Sequence, residues 1–397
     1  VFLWDEERQS FRTAQVYGVP QPVAADLLAQ HFDEGSFPLL DRARSEARPV
    51  TATITALETA TRTPGDDLVP ERFVSRFGSS AQPGPRILIA APLATKAGVL
   101  GALLVEEAEM SGGSPERRTE IITGIADQAA SAVQSDQLQQ ELAKAARMDQ
   151  ELELAREIQQ SLMPTQLPAL PGWELAGVCR PAQQVGGDFY DVFELPGQRI
   201  GFVIGDVADK GIPAALFMAL TRALVRAVAA EVSSPAAVLA RVNELMTPDA
   251  KRGMFVTAIY GVISPETHHL TYANAGHNLP ALRRARTGAV GWMPKGGLAL
   301  GVLPNLSLVE HTLDLEPGDA LVLYTDGITE TYSGDQDEFF GSPRLLAAIE
   351  ATGGSTASAL LAAIERAAAD FAGDTPPHDD LTLLVLHRTG DATPSAT

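Results

Sequence analysis

The chain has 397 residues, of which 45 % are hydrophobic, and a formal net charge of −20 at pH 7. This length allows two or three domains, and the acidic excess excludes nucleic acid and an anionic membrane surface as main partners, because both are bound through basic patches. The single cysteine, Cys179, excludes a disulfide framework and a cysteine-based metal site and fits a reducing cytoplasm. No membrane span is expected, because the most apolar helical segment is interrupted by Arg222 and Arg226.

The first part of the chain combines strand-like apolar segments with helical spacing. We predict strands at 1–4, 12–17, 86–91 and 99–106, and a helix at 24–32. A further helix is predicted to begin at Ser114-Pro115-Glu116, where serine can cap the helix and proline fits its first turn. This order favours a small α+β domain over residues 1–116. Because the chain enters a strand-like segment directly at Val1, we expect this domain to be truncated at its N-terminus.

Several segments of this region resemble a GAF domain. APLATKAGVLGALLVEE and IADQAASAV are similar to the closing hairpin and last helix of that family, and VFLWDEERQSF with QVYGVP is similar to its early strands. The resemblance implies a sensor with a pocket for a small-molecule signal, which the residues do not identify. His31, the lone histidine in this region, is better explained as a surface or packed residue than as a haem ligand.

A long charged helix is predicted between residues 117 and 163, and Met163-Pro164 ends it. Its apolar side chains recur at steps of three or four residues, close to the 3.5-residue repeat of a coiled coil. These side chains are Leu138, Leu142, Ala145, Met148, Leu152, Ala155, Ile158 and Leu162. One interpretation is a single amphipathic helix packed on its own domain. We prefer a parallel homodimeric coiled coil that links the sensor to the next domain.

Residues 164–388 are predicted to form one α/β domain that is rich in strands. The expected strands are 173–180, 189–195, 199–205, 255–263, 270–273, 308–315, 320–325 and 381–387. The expected helices are 214–231, 235–247, 343–351 and 356–372. Residues 389–397 are small and polar, which indicates a disordered tail.

Four short segments of this domain present aspartate at the end of an apolar strand or in a turn beside one. They are VGGDFYD (Asp188, Asp191), GDVADKG (Asp206, Asp209), LVLYTDGITE (Asp326) and PHDDLTLLVL (Asp379, Asp380). One such residue is most simply a solvated turn aspartate. Four segments favour a shared site, because gathered carboxylates repel one another strongly unless cations neutralise them. Ligands that are all oxygen favour Mg²⁺ or Mn²⁺ over Zn²⁺.

The order and the sequences of these segments resemble those of a known enzyme family. LAREIQQSLMP, VGGDFYDVF, GDVADKGIPAALFM, MFVTAIYGVI, YANAGHNLPAL, GDALVLYTDGITE and HDDLTLLVL are similar to the bacterial SpoIIE/RsbU type of the metal-dependent protein phosphatase 2C superfamily. The resemblance implies an α+β fold with an antiparallel β-sandwich flanked by helix pairs. It also implies two Mn²⁺ or Mg²⁺ ions and hydrolysis of phosphoserine or phosphothreonine by a metal-activated water.

The family's ligand set can be carried onto this chain residue by residue. The resemblance implies that Asp206 bridges both ions, and that Asp326 and Asp379 complete the ligands of the first ion. It implies that Asp188 and the backbone carbonyl of Val207 hold the second ion. The two ions of such a site lie about 3.5–4 Å apart and share a water molecule.

Other polar residues near these motifs are expected to act less directly. Asp380 is expected to support a neighbouring ligand, and Asp191 and Asp209 to be supporting or surface residues. The acid that protonates the leaving group is unassigned, because Val and Ala follow the bridging aspartate. His277 is a candidate acid, although its asparagine and glycine neighbours favour a structural turn. Lys210 is more simply a solvated turn lysine than a phosphate clamp, and no arginine clamp is evident.

The sequence therefore predicts a cytoplasmic phosphatase that a sensor controls through a helical linker. The family resemblance implies a phosphorylated anti-anti-sigma factor as substrate. We expect a signal to move the helices after Gly211, and Asp206 with them. The alternatives are a catalytically silent scaffold that binds a regulatory partner, and a sensor or dimerisation protein whose phosphatase part is incidental. A metal-dependent nucleotide hydrolase is disfavoured, because His277 and His378 lack a helical His-Asp pairing.

Overall fold

The computed structural model describes residues 1–54, 68–70, 86–108, 114–248, 253–264, 267, 269–353 and 356–390. The contacts divide the chain into two compact units, Val1–Arg147 and Met148–Thr397. The division falls inside one long helix, which therefore contributes residues to both units.

The first unit contains a six-stranded antiparallel sheet. Its strands are β1 (Phe2–Asp5), β2 (Ser10–Thr13), β3 (His31–Asp33), β4 (Val50–Ile54), β5 (Arg86–Thr95) and β6 (Gly98–Ala108), and its helices are α1 (Gln21–Leu28), α2 (Pro38–Glu46) and the first part of α3 (Pro115–Leu162). The strand order is β3-β2-β1-β6-β5-β4. Phe2 packs edge to face on Phe32 and Phe37, with ring centroids 5.8 and 6.2 Å apart, in the core of this unit.

Two expectations for this unit are wrong. The helix predicted at 24–32 ends at Leu28, and His31–Asp33 instead forms strand β3 beside β2. The reason is the position of Phe32, which is fully buried opposite Phe11 while its two neighbours are exposed, as in an edge strand. Helix α2 and strand β4 were not predicted, so the expected order of elements was incomplete.

Helix α3 begins at Pro115, as expected from its proline start. Its first turns bury Ile122, Ala126 and Ala130 in a cluster with residues of β5. Later in the helix, Leu138 and Leu142 are 52 % and 70 % exposed, and Ile158 is 56 % exposed. These positions belong to the predicted coiled-coil seam, so the helix presents an apolar stripe to solvent.

The second unit contains two five-stranded antiparallel sheets. The strands are β7 (Trp173–Arg180), β8 (Phe189–Leu195), β9 (Arg199–Val207), β10 (Val256–Ser264), β11 (His269–Ala275), β12 (Ala281–Arg283), β13 (Val290–Trp292), β14 (Glu310–Asp314), β15 (Ala320–Tyr324), β16 (Tyr332–Ser333), β17 (Glu338–Phe339) and β18 (Leu381–Arg388). One sheet has the order β14-β11-β10-β9-β8, and the other has the order β13-β12-β15-β18-β7. Strands β16 and β17 form a separate hairpin.

Helices cover the outer faces of these two sheets. They are α4 (Ile212–Ala229), α5 (Pro235–Met246), α6 (Asp326–Thr329), α7 (Gly341–Ala351) and α8 (Ala357–Ala372). One buried cluster joins the two sheets, with Phe202 and Ile204 from one and Leu323 and Leu384 from the other. Separate clusters pack α4 and α5 on the first sheet and α7 and α8 on the second. The layers are therefore a helix pair, two sheets and a second helix pair.

Most long elements of this unit lie where the sequence predicts them. Strands β7 and β8 coincide with the expected ranges, and the four longer helices differ by a few residues at their ends. The short elements β12, β13, β16, β17 and α6 were missed. Thr389 is tied to Gly172 by a 2.9 Å backbone hydrogen bond, and the rest of the predicted disordered tail, 391–397, lies outside the described residues.

Helix α4 carries two arginines whose partner was not predicted. Within the described residues, α4 alone has the length and mean hydropathy, 1.6, of a membrane span. Its inner face nevertheless lies in the protein core, and Arg222 and Arg226 approach the carboxylate of Asp191 to 2.9 and 2.5 Å. Asp191 on β8 is fully buried, and loss of one member of a buried ion pair is strongly destabilising. Asp191 is therefore a structural residue that joins α4 to the sheet.

Candidate metal centre

Four of the predicted aspartates lie together at strand ends that form one common edge of the two sheets. Asp188 precedes β8 and Asp206 lies near the end of β9, so both belong to the first sheet. Asp326 follows β15 and opens α6, and Asp379 lies just before β18 of the second sheet. The negative charges of Asp326 and Asp379 act on Asp206, and that of Asp206 acts on Asp188. The four carboxyls thus form one electrostatic group.

Thr325 connects the two sheets at this edge, and sequence reasoning missed it. Its hydroxyl donates to Asp188 Oδ2 at 2.6 Å and accepts from the amide of Thr382 at 3.0 Å. The threonine is fully buried, and Asp188 is 3 % exposed. A hydroxyl at the end of the otherwise apolar strand β15, next to Asp326, was the available signal. Thr325 fixes the orientation of the most buried carboxyl of the group.

The environment disfavours the ionised form of three of these carboxyls. Burial, followed by the charge of Asp206, raises the pKa of Asp188 well above its ordinary value. Burial, followed by the charge of Asp326, raises the pKa of Asp206 to about 6. Burial and the charge of Asp379 also raise the pKa of Asp326. Positive charge placed among these residues would relieve their mutual repulsion.

The chemistry of the available donors fits Mg²⁺ or Mn²⁺. The carboxylates are hard oxygen ligands, and the chain comes close to the Val207 carbonyl at Gly187, where a Cβ would lie 2.9 Å from that oxygen. Within the described residues, no three carboxylate, imidazole or thiol groups converge on one point as a closed ligand set. The structure therefore gathers suitable donors in one place without fixing their coordination geometry.

Asp380 holds the loop that carries Asp188. One of its oxygens accepts from the amide of Ala182 at 2.8 Å, and the other accepts from the amides of Gly187 at 2.8 Å and Asp188 at 3.5 Å. A Cβ at Gly186 would lie 2.0 Å from the carboxylate, so the loop needs glycine there. These contacts make Asp380 a support for the loop that precedes β8.

Lys210 is exposed and also contacts the site. Its Nζ lies 3.1 Å from Asp379 Oδ2 and donates to the carbonyl of His378 at 2.9 Å. About half of its side chain is still exposed. Asp209 is exposed and accepts from the Lys210 amide at 2.8 Å, which agrees with a surface position.

His277 is a buried turn residue rather than an exposed acid. Its amide donates to Asn274 Oδ1 at 2.7 Å, and the Asn274 amide group donates to the His277 carbonyl at 3.0 Å. Its Nδ1 lies 2.8 Å from the hydroxyl of Thr257, which is opposite Asp206 in the β9–β10 pair. Burial lowers the pKa of His277 to about 4. The ring is therefore neutral near pH 7 and supports the strand beside Asp206.

Comparison with known proteins identifies the family. The model of the stage II sporulation protein E (SpoIIE) family matches residues 196–389. Phosphoserine phosphatase RsbU of Bacillus subtilis (strain 168) is 31 % identical over 238 residues, which cover 60 % of this chain and 70 % of RsbU. The chain belongs to the SpoIIE/RsbU family of protein phosphatases.

Two further proteins are similar to this chain. Protein IcfG of Synechocystis sp. is 32 % identical, and the match covers 60 % of this chain but only 41 % of IcfG. The SiaA-PP2C domain of Pseudomonas aeruginosa superposes with a TM-score of 0.56 at 24 % identity, covering 62 % of this chain and 98 % of that domain. The second unit therefore has the PP2C-type fold.

A groove in this phosphatase-type unit begins beside Asp379. It has a volume of about 700 Å³ and is lined by Tyr332, Pro376, His378 and small residues of α8. At its rim, Arg180 forms a 2.7 Å ion pair with Glu365. Asp379 itself lines the groove, so the groove adjoins the group of four carboxyls.

The pH dependence of stability tests the buried state of His277. Its pKa falls from the ordinary value of 6.5 to about 4 on folding, so the unfolded state binds more protons between these pH values and stability decreases as the pH falls through this range. The full shift corresponds to about 3 kcal/mol. Between pH 7.5 and 5, we expect His277→Gln to lose less unfolding free energy in urea denaturation than the wild type. Parallel pH curves for the two proteins would contradict the buried, neutral assignment.

Proposed function

We propose that this chain is a metal-dependent phosphatase that hydrolyses phosphoserine or phosphothreonine on a regulatory protein. The observation that carries the proposal is the electrostatic group of four carboxyls at the common edge of the two sheets. Membership of the SpoIIE/RsbU family supports it, since the relative RsbU is named a phosphoserine phosphatase.

The four aspartates and the Val207 carbonyl would have distinct roles in binding the metal ions. Asp206 would be shared between two Mn²⁺ or Mg²⁺ ions, Asp326 and Asp379 would hold one of them, and Asp188 and the Val207 carbonyl would hold the other. When bound, such ions supply an activated water and neutralise charge on the phosphoryl group. Asp188 is oriented for this role by the Thr325 hydroxyl, and its loop is fixed by Asp380.

Two basic groups near the site have different proposed roles. Lys210 contacts Asp379 and keeps half of its side chain exposed, so its ammonium group can turn towards a phosphoryl oxygen of an entering substrate. His277 is buried and neutral near pH 7, and we assign it a structural role instead of proton donation. The leaving serine oxygen then takes its proton from solvent or from a water held in the open groove.

The proposed substrate is a phosphorylated protein of the anti-anti-sigma type. The groove beside Asp379 supports a protein substrate, because its largely apolar lining and its volume of about 700 Å³ suit side chains that flank the phosphorylated residue. The identity of the substrate is taken from the family resemblance.

We also propose a cytoplasmic location, which suits a chain whose single cysteine is free and partly buried.

We propose that the first unit is a GAF-like sensor for a small-molecule signal and that α3 is a dimeric linker. The exposed apolar stripe of α3 supports the dimer, since a second copy of the helix would cover it.

We expect Leu142→Glu to shift the chain from dimer to monomer in sedimentation analysis. Gln139→Glu adds the same charge to a neighbouring position and should leave the dimer intact. A wild-type chain that sediments as a monomer at micromolar concentration would refute this linker.

Metal-dependent turnover tests the proposed activity. We expect Mn²⁺ to activate hydrolysis of p-nitrophenyl phosphate and of a phosphoserine protein, and EDTA to abolish both. Asp206→Ala should lower kcat by at least about 1,000-fold, because it removes the ligand shared by both ions. Asp209→Ala is the matched control, since Asp209 is exposed on the same turn, and it should retain wild-type activity within a few-fold.

The alternative of a silent scaffold predicts a different result. A protein that binds Mn²⁺ but shows no turnover of either substrate would favour the scaffold. Turnover that is unchanged by EDTA and by Asp206→Ala would contradict the metal mechanism.

A further inference from the structure

Gln159 lies near the C-terminal end of α3, within the second unit. Its side chain is buried, although its neighbours in sequence are exposed. It is 6 % exposed, whereas Ile158 beside it is 56 % exposed and Gln160 is also exposed. A buried glutamine is costly unless its amide is hydrogen-bonded. Its position therefore depends on the partners that it finds inside the protein.

The Gln159 amide pairs with both backbone groups of a single residue, Gly186. Its Nε2 donates to the Gly186 carbonyl at 2.6 Å, and its Oε1 accepts from the Gly186 amide at 3.1 Å. The side chain thus satisfies both backbone groups of Gly186, as a neighbouring β-strand would. Gly186 is two residues before Asp188, so the helix is attached directly to the loop that carries a proposed metal ligand.

Two side chains hold the loop, Asp380 and Gln159. Asp380 accepts from the amides of Ala182 and Gly187, and it lies so close to Gly186 that a side chain there would collide with it. Gln159 supplies the other contact to Gly186. Without the Gln159 amide, Gly186 would lose both of these hydrogen bonds, and the segment before Asp188 could change its position.

From this geometry we propose that Gln159 is a positioning residue that sets the metal affinity of the site through the Gly186–Asp188 segment. The inference rests on the proposed function, because it assigns Asp188 and the Val207 carbonyl to a metal ion. It adds a second route from the linker to the chemistry, separate from the helix after Gly211. A displacement of the end of α3 would break two hydrogen bonds to the loop and weaken metal binding.

The test compares two matched substitutions in the full chain. Gln159→Met keeps the length of the side chain but removes both hydrogen bonds, and Gln160→Met makes the same change at an exposed neighbour. Loss of a residue that orients a metal ligand typically lowers metal affinity by about 10–100-fold. We expect Gln159→Met to raise the Mn²⁺ concentration for half-maximal activity by at least about tenfold. At saturating Mn²⁺, its kcat and KM should stay within about threefold of wild type. Gln160→Met should match the wild type throughout.

A second readout does not depend on turnover. In EDTA, hydrogen exchange at residues 182–188 should be faster in Gln159→Met than in the wild type, and unchanged in Gln160→Met. If Gln159→Met does not fold, exchange in the wild type still tests the contact, because the Gly186 amide should be protected. An unprotected Gly186 amide would overturn the proposal.

The outcomes separate the two proposals. Wild-type protein that needs Mn²⁺, together with a Gln159→Met variant of equal Mn²⁺ dependence, would overturn the role of Gln159 and leave the phosphatase function intact. A variant that loses kcat at every Mn²⁺ concentration without a change in Mn²⁺ binding would also overturn it. Wild-type protein with no Mn²⁺-dependent activity would instead refute the proposed function.

Discussion

The main constraint on the second unit is the electrostatic repulsion among four carboxylates that its two sheets bring together at one edge. Asp188 and Asp206 come from one sheet, and Asp326 and Asp379 come from the other. Burial and their mutual charge raise the pKa of the first three. Such an arrangement costs folding free energy by itself, and bound divalent cations would recover it. The fold therefore makes sense as a scaffold for a metal centre.

The surrounding structure fixes the backbone around the carboxylates. Thr325 joins the sheets through Asp188. Asp380 accepts hydrogen bonds from amides of the loop before Asp188, and Gln159 binds the backbone of the same loop. Lys210 supplies a movable positive charge at the outer side. The segments that carry the carboxylates are thereby tied to rigid elements, and Thr325 fixes the orientation of Asp188. Under the proposed function, metal affinity would then depend on contacts outside the four carboxylates, because a shift of the loop would move Asp188.

The sequence predicted the local features well and the long-range contacts poorly. Strands β7 and β8 and the four long helices of the second unit follow from hydrophobic periodicity, and the four aspartate segments follow from their place at strand ends. The burial of Phe32 in an edge strand overrode a helical pattern in the first unit. Gln159, Thr325 and the Asp191–Arg226 pair depend on partners 27, 137 and 35 residues away. Periodicity holds no information about such contacts, so they required the structure.

The most direct test of the central claim is the stability of the carboxylate group with and without metal. Asp206→Asn removes one charge from the group, so in EDTA at pH 7.5 it should raise the free energy of unfolding by about 1–2 kcal/mol, less than the full pKa shift because Asp206 is partly solvated. Mn²⁺ at a hundred times its Kd should stabilise the wild type by about 2.7 kcal/mol and the variant far less. A variant that is less stable than wild type in EDTA, with a wild type that Mn²⁺ does not stabilise, would contradict the account.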